Sequence, residues 1–184
     1  MKLLNMVNLV MPKLGERPVT SLEQRHPTLA VLLPIIEQNR ISALQKGWWF
    51  NEYIYTAVPD NTGVINIGTD TIAFVPDCPN VAILRGDKLF NPVALTFVFT
   101  ESVKGRVTQD VTFDELPESA AQYIFYSSLV EAYTTDIGVT QELQVWTSRA
   151  QTAFSDLTAE HLRQKKYSTR RSPRWRQYIN ALQG

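Results

Sequence analysis

The stretch Gly47-Trp48-Trp49-Phe50-Asn51 marks the point where the pattern of apolar residues changes. Before it, apolar residues recur at three- and four-residue spacing, which is typical of amphipathic helices. After it, as far as Phe113, short β-branched and aromatic runs alternate with turn residues, which favours antiparallel strands. The chain is therefore predicted to be an α+β protein, a helical bundle with an inserted antiparallel β-sheet domain.

Two helices are predicted before this stretch. Leu3, Val7, Val10 and Leu14 share one helical face, and Gly15 follows as a stop signal. The second helix is expected to begin at Pro27, because proline is tolerated in a first helical turn, and to end at Gly47. Pro34 lies inside this helix and is expected to kink or restart it.

Strand patterns follow one another between residues 48 and 113. Runs of β-branched and aromatic residues separated by turn residues predict strands at residues 48–58, 64–67, 71–75 and 81–84. The clearest predicted hairpin pairs residues 93–100 with residues 107–113, and Lys104-Gly105 is its expected turn. In the first strand, Trp48 and Phe50 are expected on one face of the sheet and Trp49 on the other. These aromatic residues are interpreted as core residues, in preference to a stacking platform for nucleic acid or sugar.

Helical spacing returns at Pro117, and two long helices are predicted from there. The first should run to about Asp136, with Gly138 just beyond its end, and the second from about Gln141 to Lys165. The short connection predicts an antiparallel pair. The domain organisation that follows is a helical domain of residues 1–47 and 114–166, a β domain of residues 48–113 and a basic C-terminal tail of residues 167–184.

The first long helix carries large side chains on more than one side, which indicates either a central position or a contact between subunits. The side chains predicted to form that contact are Tyr123, Tyr126, Val130 and Tyr133.

The formal net charge of zero conceals a strong asymmetry. Residues 1–162 contain eleven basic and eighteen acidic residues, a net charge of −7, and residues 163–184 contain seven basic residues and no acidic one. The basic cluster and its central tryptophan form the predicted binding segment: Arg163, Lys165, Lys166, Arg170, Arg171, Arg174, Trp175 and Arg176. We expect this segment to become ordered on a partner.

Catalytic and cofactor signals are sparse. The two histidines, His26 and His161, lack metal-binding spacing, and the single Cys78 has no second cysteine beside it. Arg85-Gly86-Asp87 is interpreted as a turn between two strands. Four acidic residues lie close together in the sequence: Asp110, Asp114, Glu115 and Glu118. Paired carboxylates can serve as an acid and base or bind a cation, but stabilisation of a helix start explains this group better. We predict no catalytic, cofactor or metal site, no signal peptide and no membrane-spanning segment.

Several short stretches, taken together, resemble the tail tubular protein A family of short-tailed phages (podoviruses), whose members are head-to-tail adaptors. They are Gly15-Glu16-Arg17-Pro18-Val19 followed by Ser21-Leu22, then Gly47-Trp48-Trp49-Phe50-Asn51, then Asp114-Glu115-Leu116-Pro117 ahead of the helix of residues 120–133. The resemblance rests on their order and spacing and covers roughly residues 1–160.

The resemblance implies a non-enzymatic virion protein, assembled in the host cytoplasm, that forms a twelve-fold ring. Its implied partners are other copies of itself, the portal protein, the tail nozzle (tail tubular protein B), a tail fibre nearby and the genomic DNA that passes through the lumen. By analogy with related adaptors, residues 163–184 would bind the portal. Binding to DNA and binding to a neighbouring subunit are the alternatives for this segment.

A different class of protein also fits the charge pattern. A small cytoplasmic nucleic-acid-binding protein would use an acidic dimeric body and hold DNA with the basic tail. An enzyme relying on Asp110, Asp114 or Glu115 ranks third.

Overall fold

A computed structural model describes residues 1–166 of the chain. The elements in chain order are α1 (Leu3–Val10), a 3-10 turn (Met11–Leu14), α2 (Pro27–Leu44), β1 (Glu52–Ala57), β2 (Thr71–Pro76), β3 (Ile83–Arg85), β4 (Lys88–Phe90), β5 (Val103–Gln109), a 3-10 turn (Phe113–Glu115), α3 (Glu118–Asp136) and α4 (Gln141–Gln164). Helices thus precede and follow the strands in the sequence, which confirms the predicted α+β class.

The helices pack around one hydrophobic core. Val7 of α1, Leu32 of α2, Ile124 of α3 and Leu157 of α4 are all almost completely buried in it. Burying each of these side chains contributes roughly 1.5–3 kcal/mol. Segments separated by most of the sequence are therefore held together by apolar contact.

The strands pack around a second cluster of buried side chains. Ile65, Phe74, Leu89 and Val107 belong to it, and they come from three strands and one connecting segment. The strands therefore have apolar contacts of their own, besides the contacts that link them to the helices.

The stretch Gly47-Trp48-Trp49-Phe50-Asn51, which we call the junction, connects the two clusters. Gly47 has a φ of +71°, a conformation that ends α2 and that glycine adopts without strain. The indole Nε1 of Trp48 donates to the carbonyl of Ala43 at 2.7 Å, and the ring is buried in the helical core. The end of α2 is thereby fixed against the start of the sheet.

Asn51 is the central residue of the junction and is 1% exposed. Its side-chain oxygen accepts a hydrogen bond from the Trp48 N–H at 2.8 Å. Its side-chain nitrogen donates to the carbonyls of Leu44 at 3.1 Å and Gln109 at 3.0 Å. A single amide therefore binds the end of α2, the turn before β1 and the end of β5.

The prediction that a strand begins at Trp48 was wrong. Residues 48–51 form a turn, and β1 begins at Glu52. The prediction failed because the turn is held by hydrogen bonds from the Asn51 side chain to backbone groups. An alternating pattern of apolar residues carries no information about such bonds. The interpretation of Trp48 as a core residue is confirmed.

The main sheet has three antiparallel strands in the order β1-β5-β2. The predicted hairpin between residues 93–100 and 107–113 does not form, because β5 pairs with β1 on one side and with β2 on the other. Residues 93–100 instead form a loop that folds on itself, with reciprocal backbone hydrogen bonds between Asn91 and Thr96.

Lys104-Gly105 is not a turn either, because both residues lie inside β5. A Cβ atom at Gly105 would come within 2.5 Å of the Phe74 ring and 2.6 Å of the Val75 carbonyl oxygen. The glycine is therefore required by close packing against β2.

Smaller strand predictions had mixed outcomes. Residues 64–67 make only isolated bridges, through Val64 and Asn66, whereas the predicted strand at residues 71–75 is confirmed as β2. The predicted turn at Arg85-Gly86-Asp87 is confirmed, since it joins β3 to β4 in a two-stranded antiparallel sheet.

The helix predictions are largely confirmed. Gly15 and Gly138 follow helical segments with positive φ, as expected. Helix α2 begins at Pro27 and continues through Pro34 without restarting. The buried residues on both sides of Pro34 anchor the helix to the core, and such packing outweighs the local cost of a proline.

The two long helices form the expected antiparallel pair. The Tyr133 hydroxyl near the end of α3 donates to Glu142 at the start of α4, at 2.7 Å. At the other end of the pair, the rings of Tyr123 and Phe154 lie 5.2 Å apart.

Replacing the central residue of the junction should destabilise the whole fold. Asn51→Ala removes the hydrogen bonds to the buried Trp48 N–H and to the carbonyls of Leu44 and Gln109, so we expect the free energy of unfolding to fall by about 3 kcal/mol. Urea denaturation followed by tryptophan fluorescence measures this loss. Asn61→Ala, at an exposed turn position, is the matched control and should change stability little. Equal stability of the two variants would contradict the role assigned to Asn51.

Candidate subunit interface

The acidic residues that sequence analysis singled out are engaged in holding the fold together. Asp110 pairs with Arg40 of α2, whose side chain is only 8% exposed. Arg40 also donates to Glu37 at 2.7 and 2.9 Å and to the backbone carbonyl of Val111. Hydrogen bonding to Glu37, reinforced by Asp110, raises the pKa of Arg40 above its ordinary value. The buried cation is thus fully paired, as a buried charge must be.

Two of the other three carboxylates lie at the start of α1. Asp114 accepts from the Leu3 backbone N–H at 2.8 Å, and Glu118 binds the N-terminal ammonium group at 2.8 Å. Glu115 accepts from the Thr112 hydroxyl at 2.7 Å. Asp114 and Glu118 therefore hold the first residues of the chain against the start of α3. The helix start whose N–H is bound is that of α1, since α3 has no side-chain cap.

The histidines and the cysteine are dispersed in the structure. His26 lies 3.7 Å from Glu16, and Cys78 is exposed in the loop after β2. His161 contacts the rings of Trp48 and Trp49, with ring centroids 5.4 and 6.2 Å apart, and its partial burial lowers its pKa. Across residues 1–166, no three His, Cys, Asp or Glu side chains are grouped so that they could hold a metal ion.

An apolar groove lies between α3 and α4. Its lining includes Tyr123 and Val130 of α3 and Ala150 and Phe154 of α4. The ammonium group of Lys46 lies 4.3 Å from the centre of the Phe154 ring, at one end of the groove. The lining contains no charged residue, and its remaining members are polar: Ser127, Thr147, Gln151 and Ser155. The absence of charge is what the core of a protein interface requires.

The four predicted interface residues differ in what they expose. Tyr123 and Val130 line the groove, and Tyr126 is half-buried against the ring of Phe125. Tyr133 is only 5% exposed, because its ring lies in the interior and its hydroxyl binds Glu142. As a subunit contact, the set stays a prediction, and Tyr123 and Val130 have the accessible surface that it requires.

A second apolar surface, which sequence analysis missed, lies on the loop after β4. Val93 is 78% exposed and Leu95 76%. The side-chain oxygen of Asn91 accepts from the N–H groups of Val93 and Ala94 at 2.9 and 3.0 Å, so the loop has a defined shape. The signal in the sequence is Asn91-Pro92, a turn-forming pair that argues against a strand at this point.

The basic segment lies partly outside the described residues. Arg163 is exposed near the end of α4. Lys165 is less available, because its ammonium group binds Glu52 at 2.6 Å. Lys166 is exposed and is the last described residue. The remaining predicted binding residues of this segment are Arg170, Arg171, Arg174, Trp175 and Arg176, and they lie outside the described range.

Protonation of Asp114 should loosen the attachment of α1. The Leu3 N–H, followed by Lys2, holds the pKa of Asp114 below its ordinary value of 3.8. A depressed folded-state pKa gives stability that is present above the ordinary value and is lost as the pH falls through the folded-state value. Asp114→Asn should therefore have a lower melting temperature than the natural chain at pH 7, and the difference should shrink below about pH 4.

Melting temperatures measured between pH 3 and pH 7 test this, with Asp156→Asn, an exposed carboxylate of α4, as the control for removal of one charge. A difference between Asp114→Asn and the natural chain that stays constant with pH would contradict the assignment.

The comparisons with known proteins agree with the resemblance. The model of the tail tubular protein family matches residues 4–167. Tail tubular protein A of Klebsiella phage KP34 is 25% identical to this chain over 170 residues, which cover 92% of this chain and 91% of that protein. Every helix in the described part of the chain is too short or too polar to cross a bilayer.

The matched residues include the helical core, the junction, both sheets and the long helix pair, which is well over half of the chain. The chain therefore belongs to the tail tubular protein family and is a structural component of a phage tail.

Proposed function

We propose that this chain is a head-to-tail adaptor without enzymatic activity. Copies of the chain, assembled in the host cytoplasm, form a twelve-fold ring between the portal protein and the tail nozzle, close to the attachment point of the tail fibres. The genomic DNA passes through the lumen of the ring. The proposal is supported by family membership and by the surface of the folded chain.

The observation that carries the proposal is the presence of two unlike apolar surfaces on one chain. The groove between α3 and α4 is concave and lies on the helical core. The loop with Val93 and Leu95 projects from the β region. A contact between copies that uses two different surfaces is a head-to-tail contact, and repetition of such a contact closes into a ring when the rotation allows it.

The alternative, a nucleic-acid-binding dimer, is favoured by the cations near the end of α4. Arg163 and Lys166 are exposed there. The two candidates differ in assembly state. A self-complementary dimer would use the same surface on both copies, and DNA binding that depends on cations would weaken steeply with salt.

A charge placed in the groove should prevent ring formation while the fold persists. We expect Val130→Arg to abolish the rings that the natural chain forms on its cognate portal protein, because an arginine cannot be buried there without a partner. Negative-stain electron microscopy and mass photometry of the mixture measure ring formation, and circular dichroism reports the fold.

Gln122→Arg introduces the same side chain at an exposed position of α3 and should leave the rings intact. The proposal is wrong if the natural chain gives only monomers or dimers with the portal protein, and salt-sensitive binding of duplex DNA by such dimers would support the alternative. If rings form unchanged with Val130→Arg, the groove is not part of the interface between copies.

A further inference from the structure

A small pocket lies at the end of the helical core where α2 begins and α3 ends. Its apolar lining includes Leu14, Val31 and Ala132, and its volume is about 230 Å³. That is less than the roughly 300–1,000 Å³ of small-molecule sites. A pocket of this size suits one large side chain of a protein partner.

The charged groups at this pocket are acidic, and its other polar lining residues are Thr28 and Thr135. Asp136 lines it and is exposed. The carboxylate of Glu16 is 44% exposed and accepts a hydrogen bond from the pocket residue Thr28 at 3.3 Å. The residues that line the pocket include no lysine or arginine. The pocket therefore favours an apolar side chain that has cations next to it in the sequence.

Such a side chain exists in the part of the chain beyond residue 166. Residues 167–184 contain four arginines and no acidic residue, and Trp175 stands directly between Arg174 and Arg176. Residues 1–166 have a net charge of −4, so the two parts neutralise each other. Tryptophan is also the residue type most enriched among the anchors of protein interfaces.

We propose that Trp175 of one copy binds in this pocket on another copy, with Arg174 and Arg176 directed to Asp136 and Glu16. The proposal rests on the assembly of several copies that is proposed above.

The length of the chain favours another copy as the donor of Trp175. The Tyr133–Glu142 hydrogen bond places the end of α3, and hence the pocket, at the start of α4. Lys165 is held at the opposite end of α4 by Glu52. Helix α4 has 24 residues, a length of about 36 Å at the usual rise. Trp175 follows Lys166 by nine residues and spans about 30 Å at full extension, so the pocket on its own chain is in reach only of a nearly straight segment, whereas another copy imposes no such limit.

Two other grooves fit a cationic segment less well. Lys46 already lies over the aromatic rings of the α3–α4 groove. The cavity near Leu33 and Phe113 contains the buried Arg40. A segment with four arginines would meet the Lys46 cation in the α3–α4 groove, and at the other cavity the carboxylates are already paired with Arg40.

Disulfide trapping tests the proposal with the full chain. In a Cys78→Ser background, chains with Val31→Cys are mixed with chains with Gln177→Cys, which keep Trp175, and oxidised, both alone and in the presence of the cognate portal protein. Val31 is 53% exposed at the pocket, so its replacement should leave the fold intact. We expect covalent dimers on a non-reducing denaturing gel. The matched control pairs Gln177→Cys with Val58→Cys, which is 68% exposed after β1 and does not line the pocket, and should give few dimers.

Charge reversal provides the second measurement. Asp136→Lys should lower the yield of covalent dimers about fivefold, because it opposes Arg174 and Arg176. Asp156→Lys, on the exposed face of α4, should leave the yield unchanged.

Two results would overturn the proposal. One is the absence of the Val31–Gln177 dimer, or a yield no greater than that of the Val58 control. The other is a chain carrying both cysteines that cyclises as a monomer, which would place the tryptophan on its own chain. Electron microscopy of the same portal mixtures separates this failure from failure of the adaptor proposal. Rings without the dimer refute only the Trp175 contact, whereas the absence of rings refutes the adaptor function.

Discussion

The buried amide of Asn51 is the constraint on which the arrangement of helices and strands depends. Its three hydrogen bonds join the end of α2, the turn before β1 and the end of β5. Trp48, fixed by the same turn, enters the helical core, and His161 of α4 contacts its ring. The junction therefore determines where the sheet leaves the helices and where α4 ends.

The charged residues likewise connect distant segments of the chain. Arg40 and Asp110 connect α2 to the segment after β5, while Asp114 and Glu118 bind the first residues of the chain. These groups bridge distant segments of the described chain. Exposed apolar surface lies in the α3–α4 groove and on the loop with Val93 and Leu95. Surfaces of this kind are typical of proteins that bind other proteins.

Helices, and not strand pairing, were predictable from the sequence. The three- and four-residue spacing and the glycines at positions 15 and 138 located the helices closely, because these signals are local. The pairing partners of β5 were missed, since alternation in residues 93–100 imitates a strand while Asn91 closes a loop. The apolar character of Tyr123 and Val130 was visible in the sequence, but the burial of Tyr133 depends on Glu142, and no local pattern reports that contact.

A reconstruction of the intact phage tail by electron cryomicroscopy tests the central claim, that the α3–α4 groove is a contact between copies in a ring, most directly. The account predicts a closed ring of this chain below the portal, in which Tyr123 and Val130 are covered by a different surface of the adjacent copy. A tail in which the groove faces solvent or the DNA channel, or in which the chain is present as isolated dimers, would contradict the account.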